Sequence, residues 1–229
     1  LLTGIVADLF SEATVFLYGL FFATTALIAS QRIGSVRLAE KKEKVKKLFT
    51  SRSFKLLFAY FFLLLLAGYI LLISTSFLVT VELNKPYSLF GVASTLSNIL
   101  ARFGELWSGY FIDYFGAEKL LITVALVRFL SSLSIATTRN LILILAFFVM
   151  RFSLVAFPAR IFLISRKFPR KLWTPSVSYL QLACKLGRIA GGLAITFLLP
   201  IFNASLIILL ASLAYLLASL IAFKVNKGG

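Results

Sequence analysis

Long apolar stretches, separated by short charged or turn-forming segments, dominate the chain. Each is close to the roughly 20 residues that a helix needs to cross a bilayer. The seven stretches are Thr14–Ser30, Lys55–Thr80, Leu89–Ile112, Leu120–Ala136, Leu141–Ser165, Pro175–Leu198 and Ala204–Phe223. Helices are expected because lipid offers the backbone no hydrogen-bond partners, and a membrane barrel would show short alternating segments instead. The pattern therefore predicts an all-α integral membrane protein.

The basic residues of the loops predict how the helices are oriented. Seventeen Lys and Arg residues fall in alternate loops and in the tail, whereas the other loops hold only Lys85 and Arg139. Basic residues concentrate on the cytoplasmic side of membrane proteins. We therefore expect a multi-pass protein of the plasma membrane with a cytoplasmic C-terminus. The predicted domains are 1–30 (the outer end of a preceding helix plus one spanning helix), a basic cytoplasmic linker 31–54, a six-helix bundle 55–223 and a tail 224–229.

Composition narrows the function classes. The chain has 229 residues, of which 60% are hydrophobic and 14% are charged, whereas soluble domains average about 45–50% and about 25%. A soluble enzyme is therefore excluded. The net charge of +16 lies in loops, so it predicts membrane topology and no nucleic-acid partner. With Cys184 as the single cysteine, no histidine and no phosphate-binding loop, we expect no metal, no cofactor and no enzymatic activity.

An internal repeat with an offset of 83 residues organises the predicted bundle. The segment 102–109 aligns with 185–192 through the shared pattern basic, x, Gly, charged, x, x, small, Gly. The same offset places the helix at 55–80 on that at 141–165, and the helix at 120–136 on that at 204–223. Each unit has three helices, so the two units cross the membrane in opposite directions. Such inverted repeats are typical of transporters.

Charged side chains within the apolar stretches mark the candidate site. Charges in a bilayer are costly unless they are paired or hydrated, so they usually face the bundle interior. Two helices carry polar stripes at spacings of three and four residues, which place them on one face. The stripes are Ser94, Asn98, Arg102, Glu105, Gly109 and Ser178, Gln181, Lys185, Arg188, Gly192. The predicted substrate or ion pathway comprises Asn98, Arg102, Glu105, Arg151, Gln181, Lys185 and Arg188.

Glu105 and Arg188 occupy equivalent repeat positions, and we expect them to approach each other directly or through water. The alternative is that these charges are structural pairs, a role we assign to Arg128 on its more peripheral helix. Because one acid cannot neutralise five bases, the excess charge favours an anionic or acid-bearing solute. Glu105 is the acidic residue available within the helices for a coupling proton or ion.

The loop after the apolar stretch Leu89–Ile112 resembles a known family motif. Gly109, Asp113 and Gly116, with Lys119 at the end of the loop, match the G-x-x-x-D-R-x-G-R-[RK] loop of the major facilitator superfamily, whereas Tyr114 and Ala117 replace its arginines and Glu118 lies where a basic residue is common. The chain resembles the C-terminal half of such a transporter from Thr14 to Lys227. The resemblance implies a six-helix bundle of two inverted three-helix repeats, preceded by one further transmembrane helix.

Small residues and glycines in this region have local structural interpretations. Gly116 is expected to end a helix where a positive φ is needed, and Asp113 to cap the next helix or meet a basic neighbour. Ala183, Gly187 and Gly191 are spaced by four residues, which predicts a close helix contact.

Two function classes remain open from the sequence. The first is a secondary transporter that moves a small solute by alternating access, with the bilayer and a second bundle as partners. That bundle is either an N-terminal half or a second copy. An N-terminal half is expected because the chain opens on apolar residues at Leu1, which indicates the C-terminal part of a longer chain. The second is a truncated or accessory membrane protein that does not transport.

Overall fold

The protein is helical throughout the part that the structure describes. The computed structural model describes Thr24 and residues 48–151 and 155–227, and it has no strand among them. The helices are α1 (Arg52–Phe77), α2 (Tyr87–Phe115), α3 (Ala117–Thr137), α4 (Leu141–Met150), α5 (Phe157–Lys167), α6 (Trp173–Leu198) and α7 (Ala204–Lys227). The predicted helix Thr14–Ser30 and most of the linker 31–54 lie outside the described residues, although Thr24 is helical.

Turn-forming residues set the helix ends. Gly116 separates α2 from α3 with φ of +91°, the left-handed conformation that glycine adopts without a steric penalty, so the predicted positive φ is confirmed. Asn140 caps α4, since its Oδ1 accepts hydrogen bonds from the backbone N–H groups of Ile142 and Leu143 at 3.0 and 3.3 Å. Asn203 caps α7 in the same way through Leu206 N.

Two helices extend a few residues beyond the apolar stretches that predict them. Helix α1 begins at Arg52, inside the segment assigned to the linker, and it continues as a π-helical turn over Leu78–Glu82. Helix α7 continues to Lys227, past the boundary predicted at Phe223. The apolar pattern ends earlier than α7 because the last turn of this helix carries polar residues, among them Lys224 and Asn226.

The single helix predicted over Leu141–Ser165 is wrong, because two shorter helices occupy this stretch. Helix α4 ends at Met150, Arg151 lies in a turn, and α5 begins at Phe157 with Pro158 in its first turn. Proline lacks an N–H group and clashes with the preceding turn of a continuing helix, but it is well placed in a first turn. The N–H group of Val155, which lies between the two helices, is bound by Ser108 Oγ at 2.9 Å.

The core lies between α1, α3 and α7. Helix α7 packs against both α1 and α3, and α6 packs along α1. The short helices α4 and α5 pack against α2 and α3. The Tyr60 hydroxyl, fully buried in this core, donates a hydrogen bond of 2.9 Å to the carbonyl of Leu121 and so ties α1 to α3.

Three of the described helical segments could cross a membrane by length and composition. They are Arg52–Glu82, Ala117–Thr137 and Ala204–Asn226. These segments belong to α1, α3 and α7, the helices that form the apolar core. The equally long α2 and α6 carry the predicted polar stripes, which lower their apolar character.

Candidate functional site

A cavity of about 510 Å³ opens between the helices. Five helices contribute residues close to their own midpoints, so the cavity lies at mid-height of the bundle. These residues are Gly68 (α1), Arg102 (α2), Arg128 (α3), Arg188 (α6) and Tyr215 (α7). The break between α4 and α5 supplies the remaining wall with Arg151, Val155 and Ala156. A break in the middle of a helical stretch therefore positions a charged side chain at the cavity.

Most of the predicted pathway residues meet in this cavity. Asn98, Arg102 and Glu105 of the α2 stripe line it, together with Arg151 and Arg188. The remaining predicted residues, Gln181 and Lys185, are exposed on α6 and are not part of its lining.

The orientation of α6 explains why Gln181 and Lys185 lie elsewhere. Gly187 and Gly191 face α1 so closely that a methyl group added at Gly187 would clash with the Phe62 carbonyl. One added at Gly191 would lie 2.8 Å from the Leu66 carbonyl oxygen. Lys185 is two residues from Gly187, and a helix turns by about 100° per residue, so it points to nearly the opposite side. The predicted close helix contact is thus present, and it turns Lys185 outward.

The predicted approach of Glu105 to Arg188 is not an ion pair in the structure. Glu105 Oε1 instead lies 3.3 Å from Arg102 Nη1 on the same helix. The spacing of three residues brings these side chains together within one turn. Arg102 is 81% exposed and Glu105 is 41% exposed, so this pair is at the solvent-facing side of the cavity. Arg188 lines the same cavity from α6 without reaching the carboxylate within ion-pair distance.

The buried charges of the cavity are Arg128 and Arg151. Arg151 is only 3% exposed, and its guanidinium carbon lies 4.1 Å from the centroid of the Phe148 ring. Arg128, on α3, is 8% exposed. Arg128 and Tyr215 are near enough to Arg151 to interact with it electrostatically. The assignment of Arg128 as peripheral is therefore wrong, since apolar content does not reveal which side of a helix faces the interior.

The cavity contains further residues that the sequence reasoning missed. Tyr69, Ser97 and Tyr215 line it, and the last of these is fully buried. A hydroxyl group in an otherwise apolar helix is a signal that could have identified Tyr215, because buried tyrosines usually have a polar partner.

The loop motif lies apart from the cavity. Gly109, Asp113 and Lys119 are partly or fully exposed near the junction of α2 and α3. The predicted cap by Asp113 is absent, because α2 continues to Phe115 and the N-cap of α3 is Gly116, which has no side-chain cap. Glu118 in the first turn of α3 instead lies 3.6 Å from Lys167 Nζ.

Two polar clusters tie the helix ends together at opposite ends of the bundle. In the Glu82 cluster, Glu82 accepts hydrogen bonds from Arg139 Nη1 at 2.9 Å and from the Ala204 N–H group at 2.8 Å. In the Lys167 cluster, Lys167 Nζ donates to the Val225 carbonyl at 3.1 Å and pairs with Glu118. Each cluster joins the end of one helix to a terminus of α7, so the end of α1 and the end of α5 are both anchored.

Comparison with protein-family models, with curated proteins and with solved structures finds no match for this chain. The likeness to the major facilitator superfamily therefore depends on the repeat and on the loop residues alone.

Proposed function

We propose that the chain is the C-terminal half of a secondary transporter of the plasma membrane, and that its cavity holds a small solute during alternating access. The observation that carries this proposal is the charged cavity at mid-height of an otherwise apolar bundle. Solute sites of transporters built from inverted repeats lie near the bilayer midplane. Charges are costly at this depth and usually mark a pathway for an ion or a substrate.

The helix contacts support the proposed inverted repeats. The offset of 83 residues makes α1 the counterpart of α4 with α5, α2 that of α6, and α3 that of α7. Helix α1 packs on α6 and α7, while α4 and α5 pack on α2 and α3. Exchanging each helix for its counterpart maps these pairs onto one another, and the pair α3 and α7 onto itself. The contacts of α2 with α3 and of α5 with α6 have at most weak counterparts, so the relation is that of an approximate two-fold axis between two units.

The exposed faces of α2 and α6 are the proposed contact with a partner bundle. Both helices flank the cavity, and both carry large apolar side chains that the bundle does not cover, such as Leu106 (74% exposed) and Phe197 (70% exposed). An N-terminal half or a second copy packed here would close the cavity on its open side. Rocking of the two bundles would then open it to either face of the membrane.

Glu105 is the proposed site for a coupling proton. It is the acidic residue in the described lining of the cavity, and its ion pair with Arg102 lies on the solvent-facing side. Loss of the carboxylate charge would leave Arg102 without this ion pair, which changes the charge that the cavity presents. Uptake by a Glu105→Gln variant should therefore lose its dependence on a pH gradient.

Uptake into proteoliposomes tests the proposed transport. The complete protein is reconstituted, a mixture of small anionic, neutral and cationic solutes is added outside, and retained solutes are identified by mass spectrometry. Transport predicts enrichment of at least one solute over protein-free liposomes, and its loss in an Arg151→Gln variant. An Arg166→Gln variant, which removes an exposed arginine outside the cavity, should behave like the wild type.

A non-transporting accessory role is the second candidate. The uncovered apolar side chains on α2 and α6 favour it, because a subunit that docks on another membrane protein needs such faces. This role predicts no solute enrichment under any gradient, together with co-purification of a stable partner that is lost when Leu106 and Phe197 are replaced by polar residues.

A further inference from the structure

The cavity carries an excess of positive charge. Among the described residues, four arginines line it, and Glu105 supplies the one carboxylate. That carboxylate is already engaged by Arg102. The other acidic residues of the described part lie at the bundle ends, where Glu82 pairs with Arg139 and Glu118 with Lys167, or are exposed near the end of α2, as is Asp113. The cavity therefore presents a field that attracts anions.

The arrangement of the arginines suggests how an anion would be held. Arg128 and Arg151 are both nine-tenths or more buried, whereas Arg102 is largely exposed. An anion would thus meet the exposed guanidinium first and the buried pair at the floor. The contact with the Phe148 ring, whose centroid lies 4.1 Å from the guanidinium carbon, helps to hold Arg151 in place. A guanidinium group presents its donors as a rigid fork that matches the two oxygens of a carboxylate or phosphate.

The remaining walls of the cavity indicate the chemical character of the rest of the ligand, beyond its charged group. Helix α1 contributes apolar side chains, among them Phe61, Leu64 and Leu72, and Phe157 adds an aromatic ring at the break. Asn98 and Tyr69 supply neutral polar groups. The volume of about 510 Å³ is within the range of small-molecule pockets. Apolar walls around a cationic floor fit an organic molecule with one oxyanion group.

We propose that the cavity binds an organic oxyanion, with Arg128 and Arg151 holding the charged group and the α1 face covering the apolar body. This inference deepens the proposed transport function and depends on it for the assignment of the ligand as a solute. Binding itself can be measured without transport, so the two can fail separately. A free organic acid and the phosphate group of a lipid share this chemistry.

Three isosteric probes test the charge preference on the wild-type protein. Benzoate, benzamide and benzamidine have nearly the same shape and carry a negative, a neutral and a positive group. The complete protein is purified in detergent and its thermal stabilisation is measured as a function of the concentration of each probe. Saturable stabilisation by benzoate alone is expected. Equal or stronger stabilisation by benzamide or benzamidine, or no stabilisation by any probe or by anionic lipid, would overturn the proposal.

Variants then test the location of the site. Arg151→Gln and Arg128→Gln should each weaken the apparent affinity for benzoate by about tenfold or more, as expected for lost hydrogen bonds to a charged group. Arg151→Lys keeps the charge but loses the fork, and it should give an intermediate affinity. Arg166→Gln removes the same charge from an exposed position and should bind like the wild type. Unchanged benzoate binding in both cavity variants would place the site elsewhere and refute the assignment.

A final comparison identifies the source of the anion. The protein is placed in nanodiscs of phosphatidylcholine with or without phosphatidylglycerol. A free organic acid predicts benzoate stabilisation in both, whereas a lipid ligand predicts stabilisation by phosphatidylglycerol that depends on Arg151. If benzoate binds but no solute is taken up into liposomes, the binding inference stands and the transport proposal fails. If solutes are taken up but only neutral or cationic ones bind, the transport proposal stands and the binding inference fails.

Discussion

The contact between α1 and α6 and the contact between α2 and the broken pair of α4 and α5 are counterparts under the 83-residue offset, yet they are built differently. At the first, Gly187 and Gly191 bring α6 against the backbone of an unbroken helix. At the second, the equivalent positions are Gly104 and Ser108, and the Ser108 hydroxyl binds the N–H group of Val155 at the break. One contact depends on missing side chains, and the other on a hydroxyl group.

The difference shows what a helix break requires and what it provides. In α1 every interior N–H group can be satisfied within the helix, so the contact needs only room for close approach. At the break the Val155 N–H group donates to a side chain instead of to a helix carbonyl, and an unsatisfied buried N–H group is costly. Ser108 meets that need. In return, the break brings Arg151 to mid-height of the bundle, where the cavity forms.

The largest effect is expected from filling the close contact on α6. Gly187→Ala places a methyl group against the Phe62 carbonyl, and neither backbone can yield without separating α1 from α6. We expect a loss of about 2–3 kcal/mol in the free energy of unfolding, which is typical of overpacking. Reversible unfolding by sodium dodecyl sulfate in mixed micelles, followed by circular dichroism, measures this.

Gly109 provides the matched control for this substitution. It also lies within a long helix, but an added methyl group there meets no atom within 4 Å. Gly109→Ala should change the free energy of unfolding by less than about 1 kcal/mol, with a stabilising sign from helix propensity. Equal stability of the two alanine variants would show that α6 does not pack closely on α1.

An intermediate effect is expected at the helix break. Ser108→Ala leaves the Val155 N–H group without its hydroxyl acceptor, which should cost about 1–3 kcal/mol. Ser134→Ala is the control, because that exposed hydroxyl bonds only to the carbonyl of Leu130 in its own helix. Its effect should stay within about 0.5 kcal/mol. If both serine variants unfold alike in the same assay, the hydroxyl does not support the break.

The smallest effect is expected at the Glu82 cluster, which anchors the end of the unbroken helix. Glu82→Gln removes the ion pair with the exposed Arg139 but keeps an oxygen for the Ala204 N–H group, so it should cost less than about 1 kcal/mol. Glu82→Ala also leaves the Ala204 N–H group at the start of α7 without its carboxylate acceptor, and it should cost about 1–2 kcal/mol. Identical losses would mean that the hydrogen bond from the Ala204 N–H group contributes nothing measurable.

Much of the helical pattern could be predicted from the sequence. The apolar stretches that became α2, α3, α6 and α7 were placed within a few residues, because long apolar runs bounded by Gly, Pro and Asn have few alternatives. The helix break escaped prediction since the stretch around it is almost uniformly apolar. Pro158 was the available signal, and it is compatible with both a kink and a new first turn.

The candidate site was predictable in its residue types but not in its geometry. The α2 stripe does line the cavity, because spacings of three and four residues define a face whatever the neighbours are. Whether a face points inward depends on the partners of the helix, so the orientation of Lys185 and the burial of Arg128 could not be inferred. The glycine contact of α6 sets the orientation of Lys185. The packing of α3 against α7 and the short helices sets the burial of Arg128.

Labelling of a single cysteine tests most directly whether the cavity lies on a solute path. Asn98→Cys is made in the complete protein after its native cysteines, Cys184 among them, have been replaced by Ala, and it is treated with a membrane-impermeant thiol reagent in vesicles of both orientations. Leu213→Cys, on an exposed apolar face of α7 at similar height, is the control. Alternating access predicts labelling of Asn98→Cys from both sides and of Leu213→Cys from neither. Labelling of Asn98→Cys from one side only, or from neither side, would contradict alternating access.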